Sequence, residues 1–202
     1  MQPFPPQVTT ELDEETENRL HVVGISGSLR PGSYTSLAVQ IALRGAQEAG
    51  ARTRLIDLRN YQLAFCDGKG NEQEFPEDVF KLRREVRQAS GIILGTPEYH
   101  GSFSGVLKNA LDLMGFDEIG GKMIGLVGVS GGVQGAIHAM DGLRTIGRSL
   151  HAWVIPEQAA VSEAWKAFDP SGALKDGALE KRLKEVGRQV ARFAYLHTLE
   201  KN

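Results

Sequence analysis

The feature that most constrains this chain is an alternation running along its length. Short apolar runs take turns with longer stretches patterned at helical spacing. The strand candidates cover residues 20–25, 52–58, 91–95, 123–129 and 153–155, the last resumed at 158–161; all are apolar runs except 52–58, which alternates. Runs rich in valine and isoleucine, bounded by glycine, serine or proline, suit strands buried on both faces. Between them, Ala38, Ile41, Ala42, Gly45 and Ala49 form a stripe of small residues, which lets a helix pack close to its neighbours. Val79, Leu82 and Val86 form a second stripe behind Pro76. Leu107, Ala110, Leu111 and Met114 form a third, and Ala136, Met140, Leu143 and Gly147 a fourth. Leu179, Leu183, Val186, Val190 and Phe193 step by fours and threes along a long final helix.

Parallel neighbours need crossover connections, and strict strand–helix alternation supplies them. The expectation is an α/β fold: a five-stranded parallel sheet with helices on both faces. Order 2-1-3-4-5, the flavodoxin-like three-layer sandwich, suits five strands better than a six-stranded dinucleotide fold. Residues 20–202 read as one domain of ordinary size. Residues 1–19 carry Glu11, Asp13, Glu14, Glu15 and Glu17 and no apolar stretch of signal-peptide type, so a solvated tail is expected there. Two irregular stretches, 60–75 and 162–176, are long enough to be functional loops.

Charge and cysteine content narrow the function. A formal net charge of -2 argues against nucleic acid or an anionic membrane surface as partner. No apolar run approaches the roughly 20 residues of a membrane span. Cys66 is the only cysteine, so neither an internal disulfide nor a cysteine-built metal site is available, and a reducing, cytoplasmic compartment is expected.

Three segments carry the chemistry. Gly27-Ser28-Leu29-Arg30-Pro31-Gly32-Ser33 follows the first strand and opens the first helix. Ser28, Ser33, Thr35 and Ser36 offer hydroxyls, Arg30 a charged fork, and the helix N-terminus a positive dipole end, a set that suits a phosphate. Helix capping is the plainer task for Ser33 or Ser36. The segment is neither a P-loop nor Gly-x-Gly-x-x-Gly. Pro97-Glu98-Tyr99-His100-Gly101 follows the third strand; Pro97 turns the chain and Tyr99 supplies a ring. Glu98 and His100 stand without a second ligand cluster nearby, so no metal is expected. Ser130-Gly131-Gly132-Val133-Gln134-Gly135 follows the fourth strand and offers bare backbone. Loops after parallel strands gather at one sheet edge, so the three describe a slot for a flat, phosphorylated cofactor.

These motifs resemble the NADPH-dependent FMN reductase family, the group with chromate, quinone and azo-dye reductases. The resemblance rests on the first loop, on Pro97-Glu98-Tyr99-His100 with Gly105-Val106-Leu107-Lys108-Asn109-Ala110-Leu111-Asp112, and on Gly128-Val129-Ser130-Gly131-Gly132-Val133-Gln134-Gly135, and it covers roughly residues 20–195. It implies a flavodoxin-like fold, non-covalent FMN, NADPH or NADH as hydride donor, a small-molecule electron acceptor, and a homodimer or homotetramer. It also implies that Ser28, Arg30, Ser33 and Thr35 hold the phosphate, that Pro97, Glu98, Tyr99 and His100 line the flavin ring, and that Ser130, Gly131, Gly132 and Gln134 border its other edge. The flavin does the redox chemistry, so no obligatory catalytic side chain is expected. The chain departs from the family pattern at Thr35 and His100, where asparagine is usual, and at Ser104, often proline.

Other readings compete. Gly128-Val129-Ser130-Gly131-Gly132 fits the Gly-x-Ser-x-Gly nucleophile elbow, with Asp141 and His151 following in hydrolase order. That reading leaves the Arg30 and Tyr99 segments unexplained. A phosphoacceptor receiver needs acids after strand 1, where this chain has Ser26 and Ser28. A non-enzymatic FMN-binding electron carrier or regulatory module shares the fold, but carriers tend to be far more acidic. Trp165 and Phe168, in the second irregular stretch, are expected either to cover a neighbouring site or interface or to pack on their own subunit.

Overall fold

The computed structural model describes residues 20–68 and 74–199; the expected tail over 1–19 lies outside them. The strands are β1 (His21–Ser26), β2 (Arg52–Asp57), β3 (Gly91–Tyr99), β4 (Ser102–Phe103), β5 (Met123–Val129) and β6 (Trp153–Val161). Five of them form a parallel sheet in the order β2-β1-β3-β5-β6, and β4 folds back antiparallel on the end of β3. With that two-residue strand set aside, the order is the expected 2-1-3-4-5. The helices are α1 (Tyr34–Glu48), α2 (Glu77–Arg87), α3 (Gly105–Asp112), α4 (Phe116–Ile119), α5 (Ile137–Ser149), α6 (Ala164–Ala167) and α7 (Gly177–Leu199).

Strand alternation sorts the core into two halves. Val22, Ile93 and Val127 pack with α1 and α7 on one face. Val23, Ile92, Leu94 and Leu126 pack with α2, α3 and α5 on the other. The central strands β1, β3 and β5 thus bury both faces, which is why their sequence shows continuous apolar runs, while the edge strands β2 and β6 keep exposed positions. The small-residue stripe on α1 meets α7 almost backbone to backbone. A Cβ on Gly45 would stand 1.9 Å from the Lys184 carbonyl oxygen, and one on Gly187 would stand 1.8 Å from that of Ala42.

Three expectations change in detail, and the resumption of the last strand at 158–161 holds. β3 runs on through Pro97, Glu98 and Tyr99, so this segment is a strand end rather than a loop. β1 stops opposite Gly95, leaving one edge of β3 open beyond it, where proline interrupts no ladder with β1. The two apolar pieces at 153–155 and 158–161 are one strand with an irregularity opposite residues 124–126, which accommodates Pro156 on the sheet's edge. The 162–176 stretch is not featureless: it holds α6 and a bridge between Phe168 and Leu174. Phe193 is half out of the core at 37% exposure, because Ala191 and Ala194 take over the buried stripe of α7.

Candidate active site

The segment after β1 is anchored at its root. Gly27 N–H donates to the Gly95 carbonyl at 2.8 Å. The Ser104 hydroxyl donates to the Gly27 carbonyl at 2.6 Å and accepts from Leu107 N–H at 3.1 Å. Ser104 thus caps α3 and holds the loop from 77 residues away. Further on, Arg59 grips Asp57 with two nitrogens and donates to the Arg30 carbonyl at 3.4 Å. Burial pushes the Asp57 carboxyl up, but the Arg59 side-chain and backbone hydrogen bonds and its charge outweigh burial and hold it below the usual range.

Ser33 is the N-cap of α1, accepting from Thr35 N–H at 3.1 Å and Ser36 N–H at 3.4 Å. Ser36 turns away from the cleft: its hydroxyl shares a 2.8 Å hydrogen bond with that of Ser26. Arg30 is exposed and its guanidinium lies 5.5 Å from the centroid of the Tyr99 ring. It forms no ion pair among the described residues, so the fork is available to a ligand.

A cleft of about 380 Å³ brings together Ser28, Arg30, Ser33 and Thr35 from the first segment, Pro97, Glu98 and Tyr99 from β3, and Ser130 and Gly131 after β5. A hollow of about 330 Å³ adjoins it, walled by His100, Gly132 and Gln134, and shares Glu98, Ser130 and Gly131 with it. Every residue singled out in the sequence for the flavin site therefore lies at one edge of the sheet, except Ser36, which stands behind it. A Cβ on Gly131 or Gly132 would meet nothing in the protein, so this backbone presents an open surface. A flat ring against bare backbone, with its phosphate toward Arg30 and the α1 N-terminus, fits this donor set.

Individual side chains also have structural partners. The Glu98 carboxylate accepts from Ala139 N–H at 3.1 Å and so caps α5, whose own N-cap, Ala136, has no capping side chain. His100 sits at φ 52°, in the left-handed region, followed by Gly101 at φ 74°, making the tight turn into β4. The Ser130 hydroxyl donates to the Gly132 carbonyl at 3.0 Å. Its expected hydrolase partners are elsewhere: His151 precedes β6 and stacks on Phe116 with centroids 4.7 Å apart, and Asp141 is exposed on α5. Met123 pairs with Trp153 and Val129 with Val161, so His151 lies at the opposite end of the sheet from Ser130. Cys66 is tied by its backbone N–H to Asn109 Oδ1 at 2.9 Å and is not part of the cleft wall.

Two further aromatic residues line the cleft: Tyr34, which the sequence did not single out, and Trp165, which was expected either at a neighbouring site or interface or packed on its own subunit. Phe168 is buried and stacks on Tyr34, with ring centroids 5.3 Å apart, so it packs on its own chain. The available signal was position: the segment after the fifth strand ends on the same sheet edge as the other three.

Strand order, a phosphate-type loop feeding the first helix and an open slot at the carboxyl ends of the strands define a flavodoxin-like nucleotide-binding protein. Residues 20–166 match the family described as NADPH-dependent FMN reductase, and the chain belongs to that family. It is accordingly an NAD(P)H-dependent flavin oxidoreductase with FMN as cofactor. It is 30% identical over 182 residues, 88% of this chain and 69% of the relative, to NADPH-dependent FMN reductase ArsH of Shigella flexneri. It is 33% identical over 174 residues, 84% of this chain and 92% of the relative, to the FMN-dependent NADPH-azoreductase of Staphylococcus aureus. In fold it resembles the flavoenzyme NAD(P)H:(acceptor) oxidoreductase FerB from Paracoccus denitrificans, at TM-score 0.70 and 22% identity over 88% of this chain and 98% of that one. Among the described residues no helix is long and apolar enough to cross a membrane.

Proposed function

We propose that this reductase oxidises NADPH or NADH and passes the electrons to a small acceptor of quinone, azo, chromate or free-flavin type, both substrates using the same cleft in turn. The observation that carries this reading is the meeting of the three segments in one slot. The 33% identity to a protein named an azoreductase supports the acceptor class. FMN held there would supply the two-electron redox chemistry that links hydride donor to acceptor. The chain's own residues bind and orient. Arg30, Ser28, Thr35 and the α1 N-terminus hold the phosphate. Tyr99 and His100 flank the ring, and Ser130, Gly131, Gly132 and Gln134 border it with backbone and amide groups. Glu98 keeps β3 and α5 together beneath it.

One site serving two substrates predicts ping-pong kinetics. Initial rates with NADPH and a quinone or azo dye should give parallel double-reciprocal lines; intersecting lines would overturn the shared-cleft mechanism. A purified protein with a flavin spectrum but no steady NADPH oxidation would instead favour the electron-carrier reading. Comparing kcat/KM for NADPH and NADH settles the donor. Self-association as a homodimer or homotetramer belongs to the same proposal. It is supported by an apolar groove of about 240 Å³ beside the edge strand β6, where Trp153 and Phe193 face outward. Sedimentation equilibrium tests it, and an active monomer at micromolar concentration would count against it.

A further inference from the structure

The segment after β6 bridges two walls of the cleft. At one wall Glu163 and Ala164 donate backbone N–H groups to the carbonyls of Gly132 and Ser130, each at 3.0 Å. At the other, Phe168 stacks on Tyr34 in the first turn of α1. Trp165 lies between these fastenings in sequence, on α6. Glu163, where the bridge starts, is held at φ 42°, a left-handed conformation uncommon outside glycine. Lys166 ties the turn further: its ammonium bonds Glu163 Oε1 at 2.5 Å and lies 4.8 Å from the centroid of the Trp165 ring. The result is a large ring that lines the cleft while 61% exposed. Strained backbone that surrounding contacts hold in place is characteristic of ligand clamps.

We propose that Trp165 is a cofactor-binding residue that also sets cofactor size. Its indole forms the outer wall beside the phosphate segment, covers a ligand held there, and restricts the site to a mononucleotide. A flavin dinucleotide seated with its first phosphate at Ser28, Arg30 and Thr35 has to carry its second half out past that phosphate. Trp165 and Tyr34 line the same cleft as the phosphate segment, Tyr34 on α1 and Trp165 on a bridge fastened at both ends. The inference rests on the phosphate placement given above, and its test separates the two.

Trp153, the other tryptophan, opens β6 at the far end of the sheet, roughly 26 Å away along eight residue steps of strand. In apo-protein titrated with FMN, the Trp153→Phe variant should keep the quenching of tryptophan emission and Trp165→Phe should lose most of it. Trp165→Ala should weaken FMN about tenfold, the scale of a lost ring contact. It should also narrow the ratio of FAD to FMN dissociation constants. An unchanged ratio in Trp165→Ala, or intact quenching in Trp165→Phe, overturns the proposal. If Arg30→Ala weakens FMN when this happens, the failure is confined to Trp165. If Arg30→Ala also binds FMN like wild type, the phosphate placement has failed instead.

Discussion

Arg30→Ala is the sharpest probe of the site, because the structure separates what the side chain does from what its backbone does. The Arg30 carbonyl is held by Arg59, and the loop root by Gly95 and Ser104. None of these contacts involves the Arg30 side chain, so its removal leaves the loop in place. The contact with Tyr99 lies within the protein and pre-sets the guanidinium over the cleft, so it enters the binding difference only through orientation. What remains is the charge-assisted bond to phosphate, about 1.5–3 kcal/mol. That corresponds to a loss of about 10- to 150-fold in FMN affinity. Arg30→Lys keeps the charge but loses the fork and should fall between. The assay is fluorescence titration of apo-protein with FMN and, in parallel, with riboflavin, which lacks the phosphate. Arg30→Ala should bind riboflavin as wild type does, and the FMN penalty should shrink in added salt. An equal loss for both flavins would assign Arg30 to the ring instead, and no loss for either would refute the phosphate placement outright.

The remaining predictions concern the frame around the site. Gly45→Ala should destabilise the apo-protein by about 3 kcal/mol or more in urea unfolding, since its Cβ meets backbone at 1.9 Å and two helices must part. Gly131→Ala, which meets nothing in the protein, should leave that stability unchanged and weaken only FMN. Ser104→Ala should cost about 1–2 kcal/mol by uncapping α3, and should also weaken FMN because the Gly27 carbonyl loses its donor. The Asp57 carboxyl titrates below its unfolded value, so its stabilisation is present above about pH 4 and is lost as pH falls through the lower folded value. The stability gap between wild type and Asp57→Asn should therefore close in acid; a gap unchanged from pH 7 to pH 2.5 in chemical denaturation would show that the Arg59 pair contributes nothing.

The amino-acid sequence by itself determined the layers, the strand order and the edge at which the cleft lies. Those features follow from local periodicity: apolar runs buried on both faces, helical stripes, and turn residues where strands end. The stripes through Leu82 and Val86, or through Leu183 and Val190, are buried as read. The three segments meet because parallel strands all point the same way, which the alternation already implies. Only the tertiary structure decided how each polar group is used. Ser36 faces Ser26 rather than the cleft, Glu98 caps a helix 41 residues away, and Ser104 secures a loop 77 residues away. Trp165 lines the cleft because the chain after β6 is bonded to the turn at Ser130 and stacked on the helix at Tyr34. A hydroxyl, carboxylate or indole has several possible partners of similar energy, and distant segments, brought together only on folding, select among them. Periodicity records which side of an element faces the core; it holds no record of which distant group arrives there.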